Sequence, residues 1–212
     1  MSSAAPPSGG IAYAALLFVM WWAMMLAMML PSAAAAILSC AAISRKIPGQ
    51  GAWAVPAFAA GYAAIWTGFS IAAVCLQIVT TRLIPLTGMM AVTSAALGGV
   101  LLVAAGLYQL TPLKNACLRQ CQTPFMFLAR NWRNGLAGAF RMGLSHGIYC
   151  MGCCWVLMLL LFYGGVMELT WIAGLAVYVA SEKLIPARYH VERVAGIVLM
   201  LWGGWVLTGA LS

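Results

Sequence analysis

The stretch Met142-Gly-Leu-Ser-His146-Gly-Ile-Tyr-Cys150-Met-Gly-Cys153-Cys154-Trp155-Val-Leu-Met158 gathers the soft-metal-binding side chains of this sequence most densely. In a helix turning about 100° per residue, with His146 at zero, Met142 falls near about −40° and Cys153 near about −20°. Cys150 falls near about +40°, Cys154 near about +80° and Met158 near about +120°. One stripe therefore offers imidazole, thioether and three thiols, and Gly143, Gly147 and Gly152 beside it allow neighbouring helices to come close. Thiolate, thioether and imidazole together favour Cu(I), with Zn(II) next, and the 14 methionines tilt the choice toward copper. A bare thiolate in lipid is expensive; a monovalent ion offsets one, and Arg141 is a candidate second counter-charge. A single buried Cys reads as a small apolar filler. Three of them within five residues, with His146 one turn away, point to metal or redox function.

Two further patches carry the same chemistry. In Met20-Trp-Trp-Ala-Met24-Met25-Leu-Ala-Met28-Met29-Leu-Pro31, the residues Met20, Met24 and Met28 share a helix face, so Met24 and Met28 are candidate auxiliary ligands for the cysteines. Met25 and Met29 lie further round and are expected to face packing or lipid, although the backbone loosened by Pro31 beside Met29 could receive a ligand. Between Pro112 and Pro124, Cys117 and Cys121 stand four apart on one face and could hold Cu(I), or Zn(II) with outside ligands. Cys40 and Cys75 read as plain buried cysteines and His190 as a solvated residue of a basic loop. Glu182 and Lys183 read as an interfacial charge pair, and Glu168 as a candidate contact for an entering or leaving cation. With no Asp and only three Glu, a hard-cation site or a carboxylate relay has little to build on.

The elements that must position these residues are membrane helices. Of 212 residues 65% are hydrophobic and 7% charged, against about 25% charged in a soluble domain. The net charge of +8 is scattered through short segments and forms no basic arm, which excludes nucleic acid as a partner. The expected fold is all-α and polytopic, with about six transmembrane helices near 12–43, 52–80, 89–111, 136–162, 166–183 and 193–211. Pro31 is expected to kink the first, and the fifth, after the Gly164-Gly165 turn, is the shortest. Arg45, Lys46, Lys114, Arg119, Arg130, Arg133, Lys183, Arg188 and Arg193 fall on alternate segments, whereas the opposite loops hold only Arg82. Lys and Arg accumulate on the cytoplasmic side, so both termini are predicted outside. Residues 1–10 are expected to be a disordered tail, and 11–212 a single transmembrane helical domain without internal repeats.

Three pieces carry a family resemblance: Ala23-Met24-Met25-Leu-Ala-Met28-Met29-Leu-Pro31; Tyr108-Gln109-Leu-Thr-Pro112-Leu-Lys114-Asn-Ala-Cys117-Leu-Arg-Gln-Cys121-Gln-Thr-Pro124; and Gly143-Leu-Ser-His146-Gly-Ile-Tyr-Cys150-Met-Gly-Cys153-Cys154-Trp155, followed by Glu182-Lys183. With these, the chain resembles the bacterial family of predicted metal-binding integral membrane proteins, some of whose members are regarded as copper chaperones that help load a copper oxidase. The resemblance spans nearly the whole chain and implies a metal-related role in the bacterial cytoplasmic membrane, without naming a reaction.

The expectation is a non-enzymatic membrane protein that binds Cu(I) through Cys150, Cys153, Cys154 and His146, helped by Met24 and Met28. Cys117 and Cys121 would form a cytoplasmic donor or acceptor pair. As a chaperone or transporter it would deliver copper to a membrane or periplasmic cuproenzyme. The alternatives are a transmembrane thiol–disulfide electron carrier built on the Cys150–Cys153 pair, and a structural subunit of a membrane oxidase complex.

Overall fold

A chain this apolar has to satisfy its backbone within each segment, and helices do so. The computed structural model describes residues 10–47, 53–83, 94–185 and 189–211, and among them it holds nine helices and no strand. These are α1 (Gly10–Ser44), α2 (Ala54–Leu83), α3 (Ala95–Gln109), α4 (Pro112–Gln122), α5 (Pro124–Arg130), α6 (Gly135–Leu159), α7 (Leu161–Gly164), α8 (Leu169–Leu184) and α9 (Val191–Leu211). The predicted disordered tail lies outside the described residues, apart from Gly10, which opens α1; so does the start of the predicted third span.

Among the described residues, four helical stretches are long and apolar enough to cross a membrane: α1, most of α2, α6 continued by α7, and α9. A fifth arises if α3 and α4, bent by 66° at their junction, count as one broken span. The sixth predicted span is α8, whose 16 residues reach only about 24 Å at 1.5 Å per residue. Its last turn directs Glu182 and Lys183 inward, both buried, while Leu184 at its end is exposed. α1 runs through Pro31 as a single helix. Pro31 has no N–H to give, and nearby the Met29 carbonyl takes two outside donors, the Ser32 hydroxyl at 2.8 Å and the Tyr62 hydroxyl at 3.2 Å.

Prolines and turn residues set the breaks. Thr111 caps α4, its side chain accepting from the Lys114 N–H, and Pro112 occupies the first turn, where a missing N–H costs nothing. Pro124 opens α5 in the same way. Gly165, at φ 98°, ends α7 in a conformation that L side chains rarely adopt, which makes the turn into α8.

Lipid offers no hydrophobic drive for helices to pair, so close backbone packing holds the bundle. The α2–α6 contact shows this best. A Cβ on Gly143 would strike the Phe58 carbonyl, and one on Gly61 would strike the Phe140 carbonyl. α3 and α9 meet likewise, with Gly106 against the Gly196 carbonyl and Gly203 against the Gly99 carbonyl. The outside of the bundle is apolar, with Leu16, Leu201 and Trp205 exposed, whereas Gln109, Lys114, His146, Glu182 and Lys183 are buried. That inverted polarity is what lipid as solvent demands.

The α2–α6 contact yields a stability test. Gly143→Val should destabilise the protein by about 1–3 kcal/mol, because the backbone of α2 has to move. Thermal unfolding in detergent should show a lowered Tm, while Gly204→Ala, which adds a methyl in open space, should leave it unchanged.

Candidate metal centre

The α2–α6 contact brings one turn of α2 against the cysteine stripe. Tyr62, next to Gly61, places its hydroxyl 3.0 Å from Cys150 Sγ. On the α6 side, Cys150, Cys153 and Cys154 are all buried, as the stripe predicted. The thiols of Cys153 and Cys154 each donate to the Cys150 carbonyl at 3.0 Å.

α4 contributes the fourth thiol. Its buried face runs Lys114, Leu118, Cys121, the spacing of one helical stripe. Cys121 is buried in the same core cluster as Cys150, Cys153 and Cys154. Cys117 is half-buried and packs on Gly152 of α6, where a Cβ would lie 2.9 Å from its sulfur. The Cys117–Cys121 pair, read from the sequence as a separate cytoplasmic site, is thus part of the α6 cluster. The 66° bend between α3 and α4 turns it there, and the Tyr108 hydroxyl donating to the Gly152 carbonyl fastens the approach.

The counter-charge differs from the one expected. Arg141 is exposed and lines a surface cavity of about 300 Å³ with Arg133 and Asn131. Lys183, from the last turn of α8, takes its place: Nζ donates to Cys150 Sγ at 3.0 Å and to Ser32 Oγ of α1 at 2.8 Å. Nor do Glu182 and Lys183 pair with each other at an interface. Adjacent helical residues point about 100° apart, and Glu182 turns to Lys114, whose Nζ lies 2.8 Å from both carboxylate oxygens. Gln109 donates to Glu182 Oε1 at 3.1 Å and Tyr178 donates to the same oxygen, so the carboxylate is well satisfied. Two lysines counted as orienting charges are therefore internal, and Arg45, Lys46, Arg119, Arg130, Arg133 and Arg193 remain exposed.

The other sequence-predicted residues fall as follows. His146 is buried among Phe58, Tyr62 and Phe127, and its Nδ1 has no hydrogen-bond partner among the described residues. Met24 and Met28 line a groove between α1 and α8, among whose described lining residues there is no cysteine. Met25 and Met29, expected to face packing or lipid, are fully buried in the core that also contains the α6 cysteines. Cys40 is buried as expected, but Cys75 is exposed. Glu168 caps α8 through the Thr170 N–H, and His190 is exposed, 3.7 Å from Glu192.

Tyr62, Ser32 and the inward role of Lys183 were missed in the sequence. The available signal was Lys183 itself, a charge within a chain that has few, since an ionisable residue at membrane depth is functional by default.

Among the described residues no three His, Cys, Asp or Glu side chains stand in a finished metal cage. Cys153 and Cys154 are turned back onto the Cys150 carbonyl, so coordination requires these side chains to rotate. The donor set suits a soft ion nonetheless: four thiols from two helices, an unpartnered imidazole nitrogen one turn away, and a cation against the central sulfur.

The model of a copper chaperone family, PpoB2, matches residues 18–206. The chain belongs to this family. No curated protein and no solved structure matches the chain. Membership of the PpoB2 copper chaperone family supports a copper-related role, and the matched span includes every residue of the cluster just described.

The internal ion pair should be sharply sensitive. Glu182→Leu leaves Lys114 uncompensated in the interior and should cost about 3–5 kcal/mol. The double variant Lys114→Met/Glu182→Leu should recover a large part of that loss, as read by the midpoints of thermal unfolding in detergent.

Proposed function

We propose that this protein is a Cu(I) chaperone of the bacterial cytoplasmic membrane that holds the ion in the thiol cluster and passes it to a membrane or periplasmic cuproenzyme. The observation that carries the reading is the burial of Cys121 with Cys150, Cys153 and Cys154 in one core cluster, with the Lys183 ammonium on Cys150. Cu(I) is content with two or three soft ligands. Each coordinating thiol gives up a proton, and two thiolates around a monovalent ion carry one net negative charge. Lys114 and Glu182 neutralise each other, so Lys183 supplies the matching positive charge. Zn(II) prefers four ligands, and four thiolates around it leave two negative charges against that one ammonium.

In this reading Cys150 is the central ligand, with Cys153, Cys154 and Cys121 as exchange partners. His146 stands ready behind the cluster, and Cys117 flanks it from α4. Met24 and Met28 supply thioethers outside the thiol set. Several sulfurs competing for an ion that needs two or three allow stepwise exchange, which suits delivery better than storage. The chain crosses the membrane six times in this reading, with α8 and the bent α3–α4 completing the count and both termini outside. The exposed arginines Arg130 and Arg133, which follow α4 and precede α6 in the sequence, support that orientation.

Copper content decides the matter. Protein purified anaerobically in detergent, loaded with Cu(I) and stripped of weakly held ion by a competing Cu(I) chelator should carry close to one equivalent by mass spectrometry. Cys150/Cys153/Cys154→Ser should carry less than a tenth of that, with its thermal unfolding still cooperative. A folded parent without copper would sink the reading, and a thiol count that rises with reductant would favour the thiol–disulfide carrier instead.

A further inference from the structure

The groove between α1 and α8 has a volume of about 570 Å³ and is open along one side. Its α1 wall is Met20, Met24 and Met28; across from them stand Met167, Ile172 and Ala176. Four of the nine described lining side chains are methionines, and they sit on both walls. An acyl chain would be held as well by leucine, so apolarity alone does not explain thioethers.

The groove also has a direction. On α1 the four-residue step Met20, Met24, Met28 continues to Ser32. On α8 the face Ile172, Ala176 continues through the buried Val179 to Lys183. The two faces meet where Lys183 Nζ donates to Ser32 Oγ at 2.8 Å and, on its other side, to Cys150 Sγ at 3.0 Å. Beyond the described lining of the groove, the two faces lead toward Lys183 and the thiols. From Met20 to Ser32 the helix rises about 18 Å, more than half of a hydrocarbon core of about 30 Å.

We propose that this groove is a second, thioether Cu(I) site, formed by Met20, Met24, Met28 and Met167, which loads the thiol cluster past Lys183. The inference rests on the Cu(I) reading of the cysteines, but concerns different ligands. Thioethers carry no charge and need no deprotonation, so they hold a monovalent soft ion weakly and release it to thiolates. They also form no disulfides, which fits the outer side of the membrane, where the proposed orientation puts Met20 and Met167 and where exposed thiols oxidise. Transfer is a ligand exchange without redox change: Cu(I)–thioether bonds break as Cu(I)–thiolate bonds form, and each coordinating thiol gives one proton to bulk water. The Lys183 ammonium, already on Cys150, keeps the charge balanced as the ion arrives.

Two full-length variants in detergent test this, with Cu(I) supplied from a chromophoric Cu(I) chelator under anaerobic conditions. Cys117/Cys121/Cys150/Cys153/Cys154→Ser should still bind one Cu(I), at least a hundredfold more weakly than the parent, and should lose it when Met20/Met24/Met28/Met167→Leu is added. Leucine keeps the groove apolar, so an acyl chain would stay while the ion is lost. With the cysteines intact, the methionine variant should load its thiols at least tenfold more slowly, to the same chelator-resistant copper content as the parent. A folded cysteine variant that binds no Cu(I), or an unchanged loading rate in the methionine variant, overturns the proposal. Should the parent itself bind no Cu(I), the thiol reading fails separately, and the cysteine variant still reports on the groove.

Discussion

An ammonium group held 3.0 Å from a buried sulfur sets the terms for the rest of this structure. Lys183 and Cys150 come from different helices, and Lys183 is anchored on its far side by Ser32 of a third. A charge in this interior is tolerable only with partners. α1 therefore has to present a hydroxyl just past Pro31, α6 has to face Lys183, and α8 has to turn Glu182 and Lys183 into the bundle. Its final turn delivers two charged side chains to two partners, Glu182 to Lys114 and Lys183 to Cys150.

The glycines make that arrangement reachable. Backbone contact between Gly143 and the Phe58 carbonyl, and between Gly61 and the Phe140 carbonyl, draws α2 close enough for the Tyr62 hydroxyl to touch both Cys150 Sγ and the Met29 carbonyl. One phenol thus ties α1, α2 and α6 together at the level of the cluster. The Lys114–Glu182 pair, with Gln109 and Tyr178, does the same for α3, α4 and α8. Stability and site are built from the same contacts, because hydrogen bonds and close packing are the available means of association in lipid.

What the sequence made legible was local. Helical spacing foretold the common face of His146, Cys150, Cys153 and Cys154, and the apolar runs foretold most helix positions to within a few residues. Pro112 and Pro124 marked α4. Relations between segments were not legible. Cys121 joins Cys150 because of a 66° bend that no periodicity encodes. Lys114 and Lys183 were counted with the loop charges because a lysine next to the end of an apolar run looks the same whether it faces water or turns inward. Arg141 was the nearer cation in sequence, but it sits on the exposed face of α6, and only the packing of α8 reveals Lys183 as the one that reaches the thiols.

Charge supplies the last step. A resident ion could be balanced by any fixed cation, but an ion in transit meets the site both filled and empty, and both states have to be tolerable inside apolar protein. With the neighbouring Lys114–Glu182 pair neutral overall, a single mobile ammonium on a flexible stem serves both. In the empty site Lys183 rests against Cys150 and Ser32, its hydrogen bonds made. With a dithiolate-bound monovalent ion in place, the same charge offsets the net negative complex without any new group entering. Lysine suits this better than arginine, since a compact ammonium with rotatable donors can shift between oxygen and sulfur partners where a planar fork would need a fixed, bidentate one. In the proposed role, one ammonium would thus serve both the empty and the loaded site.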